Sequence, residues 1–302
     1  MLIRRTFLFM PGNNPGMLVS AGVLGADAVI FDLEDAVART EKDAARILVR
    51  HALLHARPEV PVAVRVNALD TPFWREDIAA AVAGGADMVL LPKTDRPEAV
   101  HEAVAAMTAE EKAAGAGPLA LMALVESSLG VENAPAIARS HERLAGILLG
   151  AEDLTAELGA RRSPEGEEIF YARSRILLAC KAAGILAVDT PYPFVTDMEG
   201  LAADASRAAG MGFDGKAVIS PHHVHAVNSA FSPDAAQLRW AERVLAVARQ
   251  AEGEGKGAVS LDGMMIDAPV IKRAERFLLL AGQPVGQPAG EPAGQSVEAG
   301  HA

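Results

Sequence analysis

Short runs of apolar, β-favouring residues recur along most of this chain, each separated from the next by an alanine- and charge-rich stretch of helical period. They are TFLFMP (6–11), DAVIFDL (27–33), PVAVRV (61–66), DMVLLP (87–92), LALMALVE (119–126), LAGILLGA (144–151), ILAVDT (185–190) and DGKAVIS (214–220). Their interiors are apolar throughout instead of alternating with polar residues, the pattern of strands covered on both faces. The stretches between them read as helices. Examples are EKDAARILVRHALLHA (41–56), with Ala44, Ile47, Leu48 and Leu54 on one stripe, and EEIFYARSRILLACKAAG (167–184). Eight such units predict a parallel sheet sheathed by helices. The natural closure is an α/β fold of the (β/α)8 TIM-barrel type, with an open doubly wound sheet as the alternative. GADAVIF (25–31) is echoed by GADMVLL (85–91), which a repeated helix-to-strand turn explains without any functional claim.

Beyond Pro233 the pattern changes to two helical stretches, DAAQLRWAERVLAVARQAEGEG and APVIKRAERFLLLAG, joined by a loop. The predicted organisation is a catalytic barrel over 1–232, a C-terminal helical extension over 233–280 and a disordered Gly/Pro/Ala-rich tail over 281–302. That tail has no large apolar side chain except two valines, so burial cannot offset its ordering entropy.

Half of the 302 residues are hydrophobic, enough for a substantial core. The excess of 39 acidic over 28 basic residues, a net charge of -11, argues against nucleic acid as the main partner. No apolar run approaches the roughly 18–20 residues that span a bilayer. Arg4 and Arg5 precede an apolar run, but Pro11, Gly12 and Asn13 follow at once with no small-residue cleavage site, so a cytoplasmic protein is expected. Cys180, the single cysteine, sits in ILLACKAAG and reads as a packed thiol.

In a barrel of this class the site forms where the C-terminal strand ends converge. Those ends carry Asp32, Glu34 and Asp35, then Arg65, Lys93, Glu126, Glu152, Asp153 and Asp189, with Lys216 within the eighth strand; the strand starts show no comparable accumulation. Glu126 and Asp153 are candidate ligands for a hard cation such as Mg2+, which takes one or two carboxylates and leaves other positions to water and substrate oxygens. Capping of the following helices is the alternative. Arg65 suits an anion clamp, and both it and Lys93 suit ion pairing with the nearby acids. His222 and His225 of SPHHVH could share a helical face, but Ser220-Pro221 reads as an ordinary helix start and no His-Cys cluster supports zinc. P-loop, G-x-G-x-x-G and G-x-S-x-G motifs do not occur, which argues against an NTPase, a Rossmann dehydrogenase or a serine hydrolase.

FMPGNNPGML, FDLEDAVARTEKDAAR, VRVNALD, GGADMVLLPKTD, VESSLGV, LGAEDL, RRSPEGEEIFYAR, GFDGKAVISP and VSLDGMMIDAPVIKRA occur in this order. Over roughly residues 3–280 they resemble the HpcH/HpaI aldolase family. RSPEGEE and VSLDGMMIDAPVI are most similar to its citrate lyase branch, the citryl-carrier-protein lyases. The resemblance implies a TIM barrel, Mg2+ and retro-aldol cleavage of a citryl thioester to oxaloacetate and an acetyl thioester. A malyl-CoA or citramalyl-CoA lyase, or a malyl-CoA thioesterase, is the alternative within the family.

Residue by residue, the resemblance implies Glu126 as metal and substrate ligand, Asp153 as the second metal ligand, and Arg65 as the substrate-binding arginine of the reaction. It implies Asp267 of MIDAP as an acid/base residue that reaches a neighbouring subunit's site from a C-terminal lid; the other role open to Asp267 is a helix N-cap beside Pro269. Asp32, Glu34, Asp35 and Lys93 then form a supporting shell that orders metal-bound water or pairs charges. A homo-oligomer, a trimer or a multiple of it, follows from the same resemblance, as do citrate lyase α and carrier subunits as partners. CoA-dependent relatives often carry basic residues in the first β-α loop, where this chain has Asn13, Asn14 and Ser20. This favours an acyl-carrier-protein thioester over CoA. The joint presence of Arg65, Glu126, Asp153 and Asp267 speaks against a catalytically silent scaffold.

Overall fold

The computed structural model describes residues 5–253 and 259–282, and the chain divides into two compact units at Phe231/Ser232. The first unit is a (β/α)8 barrel. Its elements are β1 (Thr6–Pro11), α1 (Pro15–Ser20), β2 (Ala28–Asp32), α2 (Lys42–His55), β3 (Val62–Arg65), α3 (Trp74–Gly84), β4 (Met88–Leu91) and α4 (Pro97–Ala114), followed by β5 (Ala120–Val125), α5 (Ser128–Ile137), β6 (Leu144–Leu149), α6 (Ala151–Leu158), α7 (Phe170–Ala183), β7 (Leu186–Asp189), α8 (Met198–Met211), β8 (Gly215–Val218) and α9 (Pro221–Ala230). All eight strands lie within two residues of their predicted limits. Each pairs in parallel with the next, and Thr6, Phe7 and Leu8 pair with Lys216, Ala217 and Val218 to close the cylinder. The open sheet is thereby excluded.

The barrel explains why the runs are apolar without alternation. Phe7, Ile30, Ala63, Leu90, Leu124, Leu148, Val188 and Ala217 pack together inside the cylinder, while their neighbours, such as Leu8, Phe31, Val64, Leu121 and Ile147, pack beneath the helices. Both sets obey the two-residue period of a strand, and both are buried.

The stripe that α2 buries is not the expected one. Lys42, Ala45, Val49, Ala52 and Leu53 are buried, whereas Ala44, Ile47 and Leu54 are exposed and Leu48 is half-buried. The difference begins at Lys42, whose ammonium donates to the carbonyls of Leu33 at 2.7 Å and Glu34 at 2.5 Å. An anchor that is a lysine carries no apolar signal, so hydrophobic periodicity cannot find the face it defines.

The second unit pairs α10 (Ala235–Gly253) with α11 (Ala268–Leu280) around Ala241, Val244, Leu245, Ala274 and Leu278, with the rings of Trp240 and Phe277 edge to face at 5.9 Å. Instead of the expected loop, β9 (Val259–Leu261) and β10 (Met264–Ile266) form an antiparallel hairpin between the helices. Its turn residues, Asp262 and Gly263, have φ of 51° and 79°. Two left-handed residues are what a two-residue type I′ turn requires, and Asp-Gly supplies them. The tail expected to be disordered lies, from residue 283 onward, outside the described residues. Among the described residues no helix is long and apolar enough to cross a membrane.

Candidate active site at the barrel mouth

Inward-facing positions repeat every second residue, so the residue two beyond each interior apolar side chain lies at the mouth. Ile30 leads to Asp32, Ala63 to Arg65, Leu124 to Glu126, Leu148 to Gly150, Val188 to Thr190 and Ala217 to Ile219. These six mouth residues, with Phe9, Asp35 and Asp153, line one cavity of about 420 Å3.

Arg65 crosses this mouth as a fork on Asp32. Nε donates to Oδ1 at 2.7 Å and Nη2 to Oδ2 at 2.6 Å. Nη1 donates to Asp35 Oδ2 at 3.3 Å and lies 3.0 Å from Glu34 Oε2. The Phe9 ring lies 5.1 Å from the guanidinium. Burial works to lower the pKa of Arg65, but the hydrogen bonds and charge of Asp32 outweigh it and raise it, so the guanidinium is permanently charged. Asp32 also accepts the backbone N–H groups of Glu34 at 2.8 Å and Ala36 at 3.2 Å, which folds the FDLED loop around its own carboxylate.

The loop is held from behind by residues that the strand-end pattern does not reveal. Asn67 Nδ2 donates to the Leu33 carbonyl that Lys42 also reaches, and Asp77 accepts both the N–H and the side-chain amide of Asn67. VRVN and EKDAAR thus meet beneath FDLED. Buried polar side chains of this kind are legible only as motif positions, because they lack periodicity.

Opposite Arg65 stands Glu126, buried at the end of β5. Its Oε1 accepts the Lys93 backbone N–H at 2.7 Å. Lys93 adopts φ 50°, uncommon outside glycine, which turns that N–H toward Glu126 while its ammonium stays exposed. Gly150 leaves the space: a Cβ there would lie 2.6 Å from Glu126 Cβ and 2.7 Å from Oε2. Asp153, exposed in the first turn of α6, borders the same cavity and shares with Glu126 a second one of about 310 Å3.

The electrostatics are those of a surplus of carboxyls. Burial pushes the Glu126 carboxyl up to about 7, against the Lys93 amide and with the help of Asp153. Burial likewise pushes Glu34 up to about 8, opposed by Arg65 and reinforced by Asp35 and Glu126. Glu34 Oε2 is close enough to Arg65 for an ion pair, yet it is buried without an aligned hydrogen bond. A glycine-lined recess beside Glu126 and the hard oxygen donors of Glu126 and Asp153 on one cavity suit a divalent cation that keeps several waters. Among the described residues no group of three or more His, Cys, Asp or Glu is arranged to hold a metal, so any such site rests on two carboxylates.

Of the other candidates, Glu152 also lines the cavity, and the rest lie elsewhere. By sequence Asp189 ends its strand and Lys216 lies within the eighth, but Val188 and Ala217 take the inward positions, so both turn out toward the helices. There Lys216 Nζ donates to Asp189 and Asp204 at 2.6 Å each, and Arg173 bridges the same two carboxylates. Burial alone would raise the Asp189 carboxyl, but Lys216 and Arg173 hold it below the usual carboxylate range. Glu152 pairs with Arg162 at 2.9 Å, and Arg162 also meets Glu168, tying down the RRSPEGEE loop. His222 and His225 are exposed, and it is His223 that is buried, its Nε2 at 3.0 Å from the Val195 carbonyl. Burial pushes the Cys180 thiol up to about 12. Asn13 donates to Glu41, Asn14 caps α1 and Ser20 donates to the Met17 carbonyl. In the second unit, Asp267 is the N-cap of α11 and accepts the Val270 N–H at 3.3 Å.

The family model described as HpcH/HpaI aldolase/citrate lyase matches residues 5–221. The chain is 43% identical over 282 residues to the citrate lyase subunit beta of Leuconostoc mesenteroides subsp. cremoris, covering 92% of this chain and 93% of that one. It is 38% identical over 281 residues to a (3S)-malyl-CoA thioesterase of Cereibacter sphaeroides, with coverage of 92% and 94%. The crystal structure of CitE from Mycobacterium tuberculosis in complex with magnesium, acetoacetate and coenzyme A superposes with a TM-score of 0.78 at 35% identity, covering 93% of this chain and 99% of that one.

Proposed function

The chain belongs to the HpcH/HpaI aldolase/citrate lyase family, and on that premise we propose that it is a Mg2+-dependent carbon-carbon lyase that cleaves a citryl thioester to oxaloacetate and an acetyl thioester. The observation that carries this reading is one cavity in which Arg65 faces Glu126 and Asp153.

Glu126 and Asp153 would hold the cation, and Mg2+, when bound, would act as a Lewis acid on the substrate's hydroxyl oxygen, which becomes the keto oxygen of oxaloacetate. Three of the five N–H groups of Arg65 are engaged by Asp32 and Asp35, which fixes its plane and leaves two for a substrate carboxylate or the thioester oxygen. Charge developing on that oxygen as the carbon-carbon bond breaks meets a donor already in place. Asp32 keeps the guanidinium oriented, and Glu34 and Asp35 would supply acceptors for water ordered by a bound cation. The hydroxyl proton passes to solvent water at the mouth, the O–H electrons form the keto group of oxaloacetate, the electrons of the cleaved carbon-carbon bond become the acetyl thioester enolate, and a proton returns to its carbon. Asp267 supplies that proton to the site of a neighbouring copy in a homo-oligomer, a trimer or a multiple of it. The first β-α loop, residues 12–27, carries Asn13, Asn14 and Ser20 and no Lys or Arg for CoA phosphates, which supports a carrier-protein thioester and, with it, partnership with α and carrier subunits.

A coupled assay for oxaloacetate, glyoxylate and pyruvate over a panel of hydroxyacyl thioesters tests this. Oxaloacetate from citryl-carrier protein, lost with EDTA, restored by Mg2+ and absent in Glu126→Ala, is the expected result. Release of free hydroxy acid and thiol would instead place the chain with the thioesterases. Full Mg2+-dependent activity in Glu126→Ala would overturn the ligand assignment.

A further inference from the structure

We infer that Thr190 is a positioning residue for the cation-binding corner, serving as the N-cap that α6 cannot carry at its own cap position; this rests on the assignment of Glu126 and Asp153 as ligands. The cap position of α6 is Gly150, which has no side chain to accept from the first-turn amides. In four other barrel helices that acceptor is local, Asn14 capping α1, Ser127 α5, Asp197 α8 and Ser220 α9, while α2, α3, α4 and α7 carry no side-chain cap. At Gly150 none of these residues fits, because a Cβ would meet the Glu126 carboxylate at 2.7 Å. Room for one ligand is made by removing the cap of the helix that carries the other.

The missing acceptor comes from the end of the next strand. Thr190 Oγ1 accepts the Ala151 N–H at 3.1 Å, and both residues are fully buried. Asp153 lies two residues beyond that amide, in the same helical turn. Thr190 is itself fixed, since its carbonyl accepts from Lys216 Nζ at 2.6 Å. Lys216 is held by Asp189 and Asp204, which Arg173 clamps from the other side. The buried ion cluster, which no chemical step uses, is thus the footing for the helix that presents Asp153. A buried N–H without an acceptor is costly, so α6 without the Thr190 hydroxyl would shift its first turn toward water and take Asp153 with it.

The experiment is direct Mn2+ binding to the purified full chain, followed by electron paramagnetic resonance of the free ion, alongside melting of the metal-free protein. Thr190→Val conserves shape and deletes the acceptor; it is expected to weaken Mn2+ about tenfold while the circular dichroism spectrum is retained. Thr190→Ser, which keeps the hydroxyl, is expected to bind within about threefold of wild type. Thr190→Ala carries the same expectation as the valine variant and replaces it should valine prevent folding. Wild-type affinity in the valine or alanine variant overturns the inference, as does a serine variant no better than valine. Wild-type protein that binds no Mn2+, or Glu126→Gln that binds it normally, overturns the ligand assignment itself and the inference with it.

Discussion

Arg65 and Asp32 sit side by side in register on the adjacent strands β3 and β2 and are joined by two hydrogen bonds of 2.7 and 2.6 Å at the barrel mouth. The fork sets the direction of the only guanidinium among the cavity-lining residues. A lysine can supply the charge at 65 but not the two parallel bonds. Arg65→Lys is therefore expected to lower kcat by about 100- to 1,000-fold, the scale of losing a preorganised donor to an oxyanion. Asp32→Asn keeps the shape and frees the guanidinium to swing toward Glu34 and Asp35, so a smaller loss, about tenfold, is expected. Steady-state kinetics of both variants check this, and an Arg65→Lys enzyme within threefold of wild type would refute it.

Asp267 has two roles open to it, helix cap and proton donor, and they separate in mixed oligomers. Glu126→Ala and Asp267→Asn are each expected to be inactive alone, because one lacks a ligand and the other a proton donor. Asparagine remains a good N-cap, so α11 should persist in the second variant. If Asp267 serves a neighbouring copy, co-refolded mixtures of the two inactive chains regain activity, since some sites pair an intact Glu126 with an intact Asp267. Activity of the mixture that never exceeds the sum of the separate variants would rule out the neighbouring-copy role, and full activity of Asp267→Asn alone would leave Asp267 as a cap only.

How far the chain could be read before its structure follows from what each residue is buried against. The strands were legible because both of their faces are apolar, a signal that needs no knowledge of tertiary contacts. The mouth was legible as a gathering of polar residues at strand ends, but not the direction each one takes. Asp189 and Asp32 look alike in sequence, yet one points out to Lys216 and Arg173 and the other in to Arg65. Parity with the interior residues Val188 and Ile30 decides between them, and it depends on strand ends that sequence places only to within two residues. The buried face of α2 stayed hidden because Lys42 defines it through backbone carbonyls, and the Asp262-Gly263 hairpin was obscured by strands of three residues each.

The carboxyls at the mouth make a pH dependence whose sign is fixed. Glu34 has an ordinary value of 4.5, raised in the fold to about 8, and Glu126 is raised from 4.5 to about 7, burial being the first cause of both. Between these limits the folded, metal-free protein holds protons that the unfolded chain has released. The stabilising contribution is therefore complete below about pH 4.5 and is lost as pH rises through 7 and 8. Metal-free protein is expected to lose about 1–3 kcal/mol of unfolding free energy between pH 6 and 9. Mg2+ should restore most of that loss, since a bound cation favours the ionised carboxylates. Glu34→Gln, which cannot ionise, should flatten the decline. Urea unfolding of both proteins at pH 6 and 9, with EDTA and with Mg2+, measures all three effects; equal slopes in wild type and Glu34→Gln would show that Glu34 does not hold the proton assigned to it.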